Sequence, residues 1–148
     1  MVTSLDALLV VAIRRERASV QLYEELTRLV SAPEVQSLCR ALAAQERGHQ
    51  AKIEAIRSTG KISSENFAVA NVGISEPLER PEPHPDLNVK DALILAMKLE
   101  QEARDMYQVM AAHAKEPDLK HLLEFLINEE ASHKLELEKC YASLFQGA

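Results

Sequence analysis

A set of ionisable residues occurs twice in this chain, and every member of the first copy recurs 84 positions later. Each copy opens with a glutamate followed by a tyrosine and ends with a Glu-x-x-His sequence. The first copy consists of Glu16, Tyr23, Glu46 and His49, and the second of Glu100, Tyr107, Glu130 and His133. Apolar positions repeat at the same distance: Pro33, Leu38 and Leu42 recur as Pro117, Leu122 and Leu126. The chain is therefore expected to fold into two similar halves.

Four segments carry apolar residues at helical spacing. They span about 4–30, 32–58, 89–114 and 117–145. Thr3 or Ser4 is expected to cap the first and Asn88 the third, whereas Ser31-Ala32-Pro33-Glu34 has the form of a capping box for the second. In the fourth segment the residues expected to face inward are Leu119, Leu122, Leu126, Leu137, Tyr141 and Leu144. With only 4 glycines and 4% aromatic residues, a β-rich fold is unfavourable, and the sequence predicts an all-α protein.

The connections between the helices predict the topology. Helices one and two, and helices three and four, are joined by a few residues, so each pair should form an antiparallel hairpin. The link at about 59–87 is long and contains four of the six prolines, Pro77, Pro81, Pro83 and Pro85. Since a 25-residue helix is roughly 38 Å long, such a link can cross the length of a bundle. We therefore predict one domain, 1–148, built as a four-helix bundle with a single long crossover.

Phe67–Ile74 is an apolar strip within that link. Because an exposed apolar strip is a liability, it is expected to line a groove of its own bundle or of a partner subunit. On that basis we expect a homodimer.

The repeated glutamates and histidines fall on the apolar faces of their helices. Glu46 and His49 are three residues apart, hence on one face, and lie in register with Leu42 and Ile53. Glu130 and His133 repeat this arrangement, and Glu16 and Glu100 each interrupt an apolar stripe. Carboxylates in an apolar interior are unfavourable unless their charge is compensated. Divalent cations would compensate it, and four carboxylates with two imidazoles suit two iron or two manganese ions.

A polar core network without metal is the alternative to this interpretation, and it would require nearly complete hydrogen bonding. One Glu-x-x-His on a helix is weak evidence, but two matched copies on apolar stripes favour metal. Tyr23 and Tyr107 are expected to be core aromatics whose hydroxyls bond to a ligand carboxylate of the opposite hairpin. The unmatched histidines, His84, His113 and His121, are expected to be solvated.

Charge and cysteine content limit the partners and the compartment. The net charge is −6 and no basic cluster dominates a face, so nucleic acid is not an expected partner. Cys39 and Cys140 are isolated, which argues against a disulfide framework and favours a reducing, cytoplasmic location. The longest apolar run, Ala7–Ile13, is far shorter than the roughly 20 residues that span a bilayer, so no membrane association is expected.

The doubled pattern resembles the ferritin-like superfamily, and specifically the rubrerythrin-type di-iron proteins. The resemblance rests on Glu16 with Tyr23, Glu46 with His49, and their counterparts Glu100 with Tyr107 and Glu130 with His133. It implies a ferritin-like four-helix bundle in which Glu46 and Glu130 bridge two ions. By the same resemblance Glu16 and Glu100 would be terminal or bridging carboxylates, and His49 and His133 the nitrogen ligands.

Two features depart from that family. The sequence contains nothing that could build a rubredoxin-like electron-transfer domain. The additional glutamate that rubrerythrins carry one turn after the third-helix ligand is replaced by Ala103, and Glu102 lies on another side of the helix. The symmetric residue set is closer to a bacterioferritin or manganese-catalase arrangement.

The sequence leaves several functions open. The first is a non-haem di-iron peroxidase or oxidase that acts on hydrogen peroxide or dioxygen and receives electrons from an external donor. The others are ferroxidase activity with iron storage, manganese-dependent peroxide dismutation, and a non-catalytic bundle that holds zinc or no metal. No helix of the ferritin type follows Phe145, which disfavours the storage shell.

Overall fold

A computed structural model describes residues 2–69 and 88–147. Its elements are β1 (Val2–Ser4), α1 (Leu5–Leu29), α2 (Pro33–Arg57), β2 (Asn66–Ala68), α3 (Val89–His113) and α4 (Pro117–Phe145). The predicted all-α four-helix bundle is confirmed, and every helix boundary lies within a residue or so of its predicted position.

Contacts at the two ends of the first hairpin show that its helices are antiparallel. Near the α1–α2 turn, the Gln36 side chain donates a hydrogen bond of 2.9 Å to the Val30 carbonyl. At the other end, Arg57 of α2 pairs with Asp6 of α1 at 2.9 Å. The α3–α4 hairpin packs in the same manner, and α1 lies against α3.

Two of the three predicted helix caps are present. The Ser4 hydroxyl accepts the Ala7 N–H at 3.1 Å, and the Asn88 side chain accepts the Asp91 N–H at 2.9 Å. The predicted capping box of α2 is wrong, because the N-cap is Ala32 and no side chain caps it. Pro33 begins α2, where its missing N–H leaves no helical hydrogen bond unmade.

The beginning of the link is more ordered than predicted. Thr3 in β1 pairs with Phe67 in β2, which forms a short antiparallel ribbon at the start of α1. Phe67 and Val69 pack, partly buried, against the core of their own chain. Residues 70–74 of the apolar strip, His84 and the four link prolines lie outside the described residues.

Two apolar clusters fill the bundle, one toward each end. The first contains Leu26, Leu42, Leu93 and Leu137, and the second contains Leu8, Ile53, Met106, Leu119 and Leu126. In every helix the repeated glutamates and histidines lie between the residues that contribute to the two clusters. The fold thus places one polar layer in the middle of an otherwise apolar core.

The predicted inward face of α4 is confirmed for Leu119, Leu126 and Leu137, which are buried, and is less complete at its edges. Leu122 and Tyr141 are only partly buried, although both pack against the core. Leu144 is 40% exposed because α4, with 29 residues, is longer than the 25-residue α1, α2 and α3, so its last turn has less to pack against. Among the residues that the structure describes, no helix is long and apolar enough to span a bilayer.

Candidate metal centre

Burial of the six repeated acid and imidazole groups is nearly complete. Each residue is at most 2% exposed, and the set consists of Glu16, Glu46, His49, Glu100, Glu130 and His133. All four helices contribute, because α1 and α3 each supply one glutamate and α2 and α4 each supply a Glu-x-x-His pair. The sequence-based expectation that these groups point into the core is therefore confirmed.

The six residues form two overlapping groups. The His49 group contains Glu16, Glu46, His49 and Glu130, and the His133 group contains Glu46, Glu100, Glu130 and His133. Within each group one potential ligand atom from every residue lies within 4.8 Å of the others. Glu46 and Glu130 belong to both groups, so their carboxylates lie between the two positions where ions could bind.

The tyrosines connect the two hairpins. The Tyr107 hydroxyl donates a hydrogen bond of 2.5 Å to Glu16 Oε1. The Tyr23 hydroxyl donates to Glu100 Oε1 in the same way. Burial and the nearby carboxylates raise the pKa of both phenols well above the ordinary value of 10.0, so they stay protonated and act as donors. The cross-hairpin hydrogen bonds expected from the sequence are thus present.

Both imidazoles point the same ring nitrogen toward the carboxylates. His49 Nδ1 lies 3.1 Å from Glu130 Oε1 and 3.4 Å from Glu46 Oε2. His133 Nδ1 lies 2.7 Å from Glu46 Oε1. The rings are stacked nearly parallel with centroids 5.5 Å apart.

The other ring nitrogens face acceptors outside the cluster. His49 Nε2 lies 3.4 Å from Glu129 Oε1, and His133 Nε2 lies 2.5 Å from the Gln45 amide oxygen. A carboxylate and an amide oxygen can only accept, so each Nε2 carries the proton and donates it. In a neutral imidazole this leaves Nδ1 as the lone-pair nitrogen, directed at the carboxylates.

Several buried carboxylate oxygens of the cluster have no hydrogen-bond partner. They are Glu16 Oε2, Glu46 Oε2 and Glu100 Oε2. Buried oxygens without partners are rare because each one carries a desolvation cost. An oxygen-rich set with two imidazole nitrogens suits first-row divalent cations. The residues present therefore fit a pair of metal ions, which would bind to these oxygens.

The pKa values of the carboxyl groups are shifted as expected for acids crowded together in a core. Burial, followed by the charges of neighbouring carboxylates, raises the pKa of Glu46 and of Glu130 well above the ordinary 4.5. Burial would also raise the pKa of Glu100, but the hydrogen bond from Glu130, the neighbouring His133 ring and the hydrogen bond from Tyr23 outweigh it and lower that pKa. Without cations the layer is therefore expected to hold protons on its two central carboxyls.

Sequence reasoning missed the groups that surround the cluster. Gln45 and Glu129 directly precede the two Glu-x-x-His sequences and are themselves 84 positions apart. This spacing could have identified them, but their residue types differ. Arg15, 3% exposed, pairs with Glu102 at 3.0 Å, and Glu102 is in none of the groups of potential ligands among the described residues.

The remaining candidate residues lie outside the polar layer. His121 is exposed, as expected. His113 is half-buried and its ring stacks on Phe67 with centroids 3.9 Å apart, so the prediction that it is solvated was wrong. Cys39 and Cys140 are buried free thiols.

Comparison with known proteins is consistent with this geometry. The family model described as Rubrerythrin matches residues 7–141. No curated protein sequence matches the chain significantly.

Solved structures share the fold over nearly their whole length. A hypothetical protein from Pyrococcus furiosus is 25% identical, with 97% of this chain and 91% of that one covered and a TM-score of 0.76. A protein from Thermotoga maritima, described as a ferritin-like diiron-carboxylate protein, is 21% identical over 93% of this chain and 94% of its own, with a TM-score of 0.77. One from Bacillus anthracis with a similar description is 20% identical over 93% and 94%, with a TM-score of 0.72.

The family match extends over all four helices and includes every residue of the buried polar layer. The neighbouring structures establish the same bundle independently of close sequence identity. The chain therefore belongs to the rubrerythrin family and has a ferritin-like fold.

Proposed function

We propose that this protein is a non-haem di-iron oxidoreductase that reduces hydrogen peroxide or dioxygen with electrons from an external donor. The observation that carries the proposal is the pair of overlapping groups that share Glu46 and Glu130. A single-ion site would not require two matched histidines on opposite hairpins. Two solved structures with this fold are described as diiron-carboxylate proteins, which supports the choice of iron.

In this proposal each ion would be held by one imidazole, one unshared carboxylate and two shared carboxylates. His49 Nδ1 and Glu16 would bind the first ion, and His133 Nδ1 and Glu100 would bind the second. Glu46 and Glu130 would bridge the pair, because each is a member of both groups. Tyr107 and Tyr23 hold one oxygen of Glu16 and of Glu100, respectively, which leaves the Oε2 atom of each glutamate for the metal.

The surrounding residues exclude bulk water and fix the ligands. The apolar clusters close the layer from both ends of the bundle, and a site dry on those sides strengthens electrostatic interactions within it. A bound ferrous pair would supply two electrons and Lewis acidity for cleavage of an O–O bond. Reduction of one peroxide to two waters also consumes two protons, which solvent must supply, because Glu46 and Glu130 would give up their own protons when the ions bind.

Anaerobic loading with ferrous iron followed by stopped-flow addition of hydrogen peroxide tests the proposal. We expect two iron ions per chain and a burst that consumes about one peroxide per ferrous pair, as the two-electron stoichiometry requires. Glu46→Ala should abolish the burst, whereas Glu54→Ala, an exposed glutamate of the same helix, should leave it unchanged. A folded protein that takes up iron but consumes no peroxide or dioxygen would refute the proposal.

The same assay separates the rival functions. Manganese-dependent dismutation would release dioxygen without a reductant and would require manganese instead of iron. Ferroxidase activity with storage would accumulate many more than two irons per chain in a large shell, which light scattering detects. Either result would replace the proposed function.

A further inference from the structure

One matched pair of positions breaks the symmetry of the polar layer. Gln45 in α2 and Glu129 in α4 occupy equivalent places in the repeat. Each accepts from the Nε2 of the histidine in the opposite hairpin, Gln45 at 2.5 Å from His133 and Glu129 at 3.4 Å from His49. The two residues thus have the same structural role, but one is a neutral amide and the other a carboxylate.

We propose that this difference makes the two halves of the site unequal, so that a divalent ion binds the His49 group more tightly than the His133 group. The inference rests on the proposed di-metal function and adds to it an order of filling. Glu129 and Gln45 would act as positioning residues, because their hydrogen-bond partners are the imidazole Nε2 atoms, although Glu129 also lies close enough to His49 and His133 to form a third group of potential ligands.

The expected preference for the His49 group follows from the charge of the residue that accepts the Nε2 hydrogen bond of each imidazole. A carboxylate that accepts from Nε2–H increases the electron density at Nδ1 and makes the ring a stronger ligand. The Gln45 amide lies closer to His133, at 2.5 Å, than Glu129 lies to His49, at 3.4 Å, but it adds no formal charge. Glu129 hydrogen-bonds to His49 Nε2 at 3.4 Å and also has a carboxylate oxygen within 4.8 Å of a ring nitrogen of His133. The hydrogen bond directs its charge mainly to the ring of the His49 group.

The magnitude is limited by solvent. The Glu129 side chain is 32% exposed, so water screens part of its charge. Residues that orient metal ligands change affinity by about 10- to 100-fold, and we expect the lower end, about tenfold. Lys52 lies 4.0 Å over the Phe125 ring, which meets His49 edge-on. Its positive charge reduces the difference, but it does so in every variant compared below.

Cobalt(II) provides a suitable probe because anomalous scattering locates it directly. In crystals of the protein, grown anaerobically with one equivalent of cobalt(II), a tenfold ratio of affinities should give about threefold higher occupancy beside His49 than beside His133, because two independent sites that share one equivalent fill in the ratio of the square root of their affinities. Glu129→Gln should bring the two occupancies close to equal. The exchange variant Q45E/E129Q should invert the ratio. Both positions lie at the surface edge of the layer, so these variants retain the core, and circular dichroism checks their fold.

The outcomes separate this inference from the proposed function. Equal occupancies in the natural sequence, a preference for the His133 group, or an unchanged ratio in Glu129→Gln would overturn the inequality while two ions still bind at full loading. If the folded protein binds no cobalt in calorimetry, the di-metal function itself is refuted and the inference with it. Inversion in the exchange variant is the result that a merely structural role of Glu129 would not produce.

Discussion

Replacement of Glu46 by glutamine should stabilise the metal-free protein, although it removes a buried group of the proposed site. The glutamine amide nitrogen can donate to the lone pair of His133 Nδ1, which lies 2.7 Å from Glu46 Oε1. Its amide can donate to the carboxylates of Glu16 or Glu130, which supply ligand atoms within 4.8 Å. The substitution therefore keeps the shape and the hydrogen bonding of the layer and removes only an ionisable group.

The size of the gain follows from linkage between protonation and folding. In the folded chain the pKa of Glu46 is raised well above its ordinary 4.5, first by burial and then by Glu16 and Glu130. A group with a raised folded pKa contributes its full stability below the unfolded pKa and loses it as the pH rises toward the folded pKa. The loss cannot exceed about 1.4 kcal/mol per pH unit, which sets an upper bound of about 3 kcal/mol between pH 4.5 and 7.

Glutamine cannot ionise, so the variant does not suffer this loss. We expect Glu46→Gln to raise the unfolding free energy of the metal-free protein by as much as about 3 kcal/mol at pH 7 and by almost nothing at pH 4. For a protein of this size that corresponds to a midpoint increase of about 6–12 °C.

Urea denaturation of the chelator-treated protein from pH 4 to 8 measures the effect, with Glu54→Gln as the exposed control on the same helix. With cobalt(II) at about 100 times its Kd, the natural protein should gain about 2.7 kcal/mol, and Glu46→Gln should gain far less. A variant that is less stable than the natural protein at pH 7 without metal, or a gain that does not depend on pH, would refute the reasoning.

Two further predictions concern the hydrogen bonds and protons of the layer. Tyr107→Phe removes the donor to Glu16 Oε1 and should lower the unfolding free energy by about 1.5–3 kcal/mol. As a control, Tyr141→Phe replaces a tyrosine that is only partly buried and should change that free energy by less than about 0.5 kcal/mol. Equal effects of the two variants in urea denaturation would contradict the proposed hydrogen bond. Because the pKa values of Glu46 and Glu130 are raised, cobalt binding should release protons, and the affinity for cobalt should fall as the pH falls. Calorimetry in buffers of different ionisation enthalpy measures this proton release. Proton uptake on binding would contradict the prediction.

The parts of the fold that the sequence predicted are those set by local periodicity. Helical spacing of apolar residues gives each helix its buried face, and capping residues such as Ser4 and Asn88 mark where helices begin. The inward placement of Glu46 and His49 follows from the same spacing, since they share a face with Leu42 and Ile53. The 84-residue repeat predicted the corresponding inward groups of the second hairpin, because Glu130 and His133 occupy the positions of Glu46 and His49.

The parts that sequence reasoning missed depend on contacts between distant segments. Strands of three residues, β1 and β2, have too little pattern to be recognised locally, and they form only because Thr3 meets Phe67. The stacking of His113 on Phe67 also depends on the position that this strand pairing gives Phe67. Likewise, nothing near Glu129 in the chain indicates that it reaches His49, a residue of the other hairpin.

The position of the polar layer explains how the fold can contain it. Four carboxyl groups close together in a core oppose folding unless protons or cations neutralise them. Here the layer lies between two apolar clusters, each of which joins all four helices. Packing at both ends can therefore hold the helices in register while the charge in the middle remains only partly compensated. A cation that binds there finds its ligands already in place. Because the cation relieves the repulsion between Glu46 and its neighbours, that relief adds to the binding free energy of the cation. This is why removal of that crowding should stabilise the metal-free chain and weaken metal binding in the same variant.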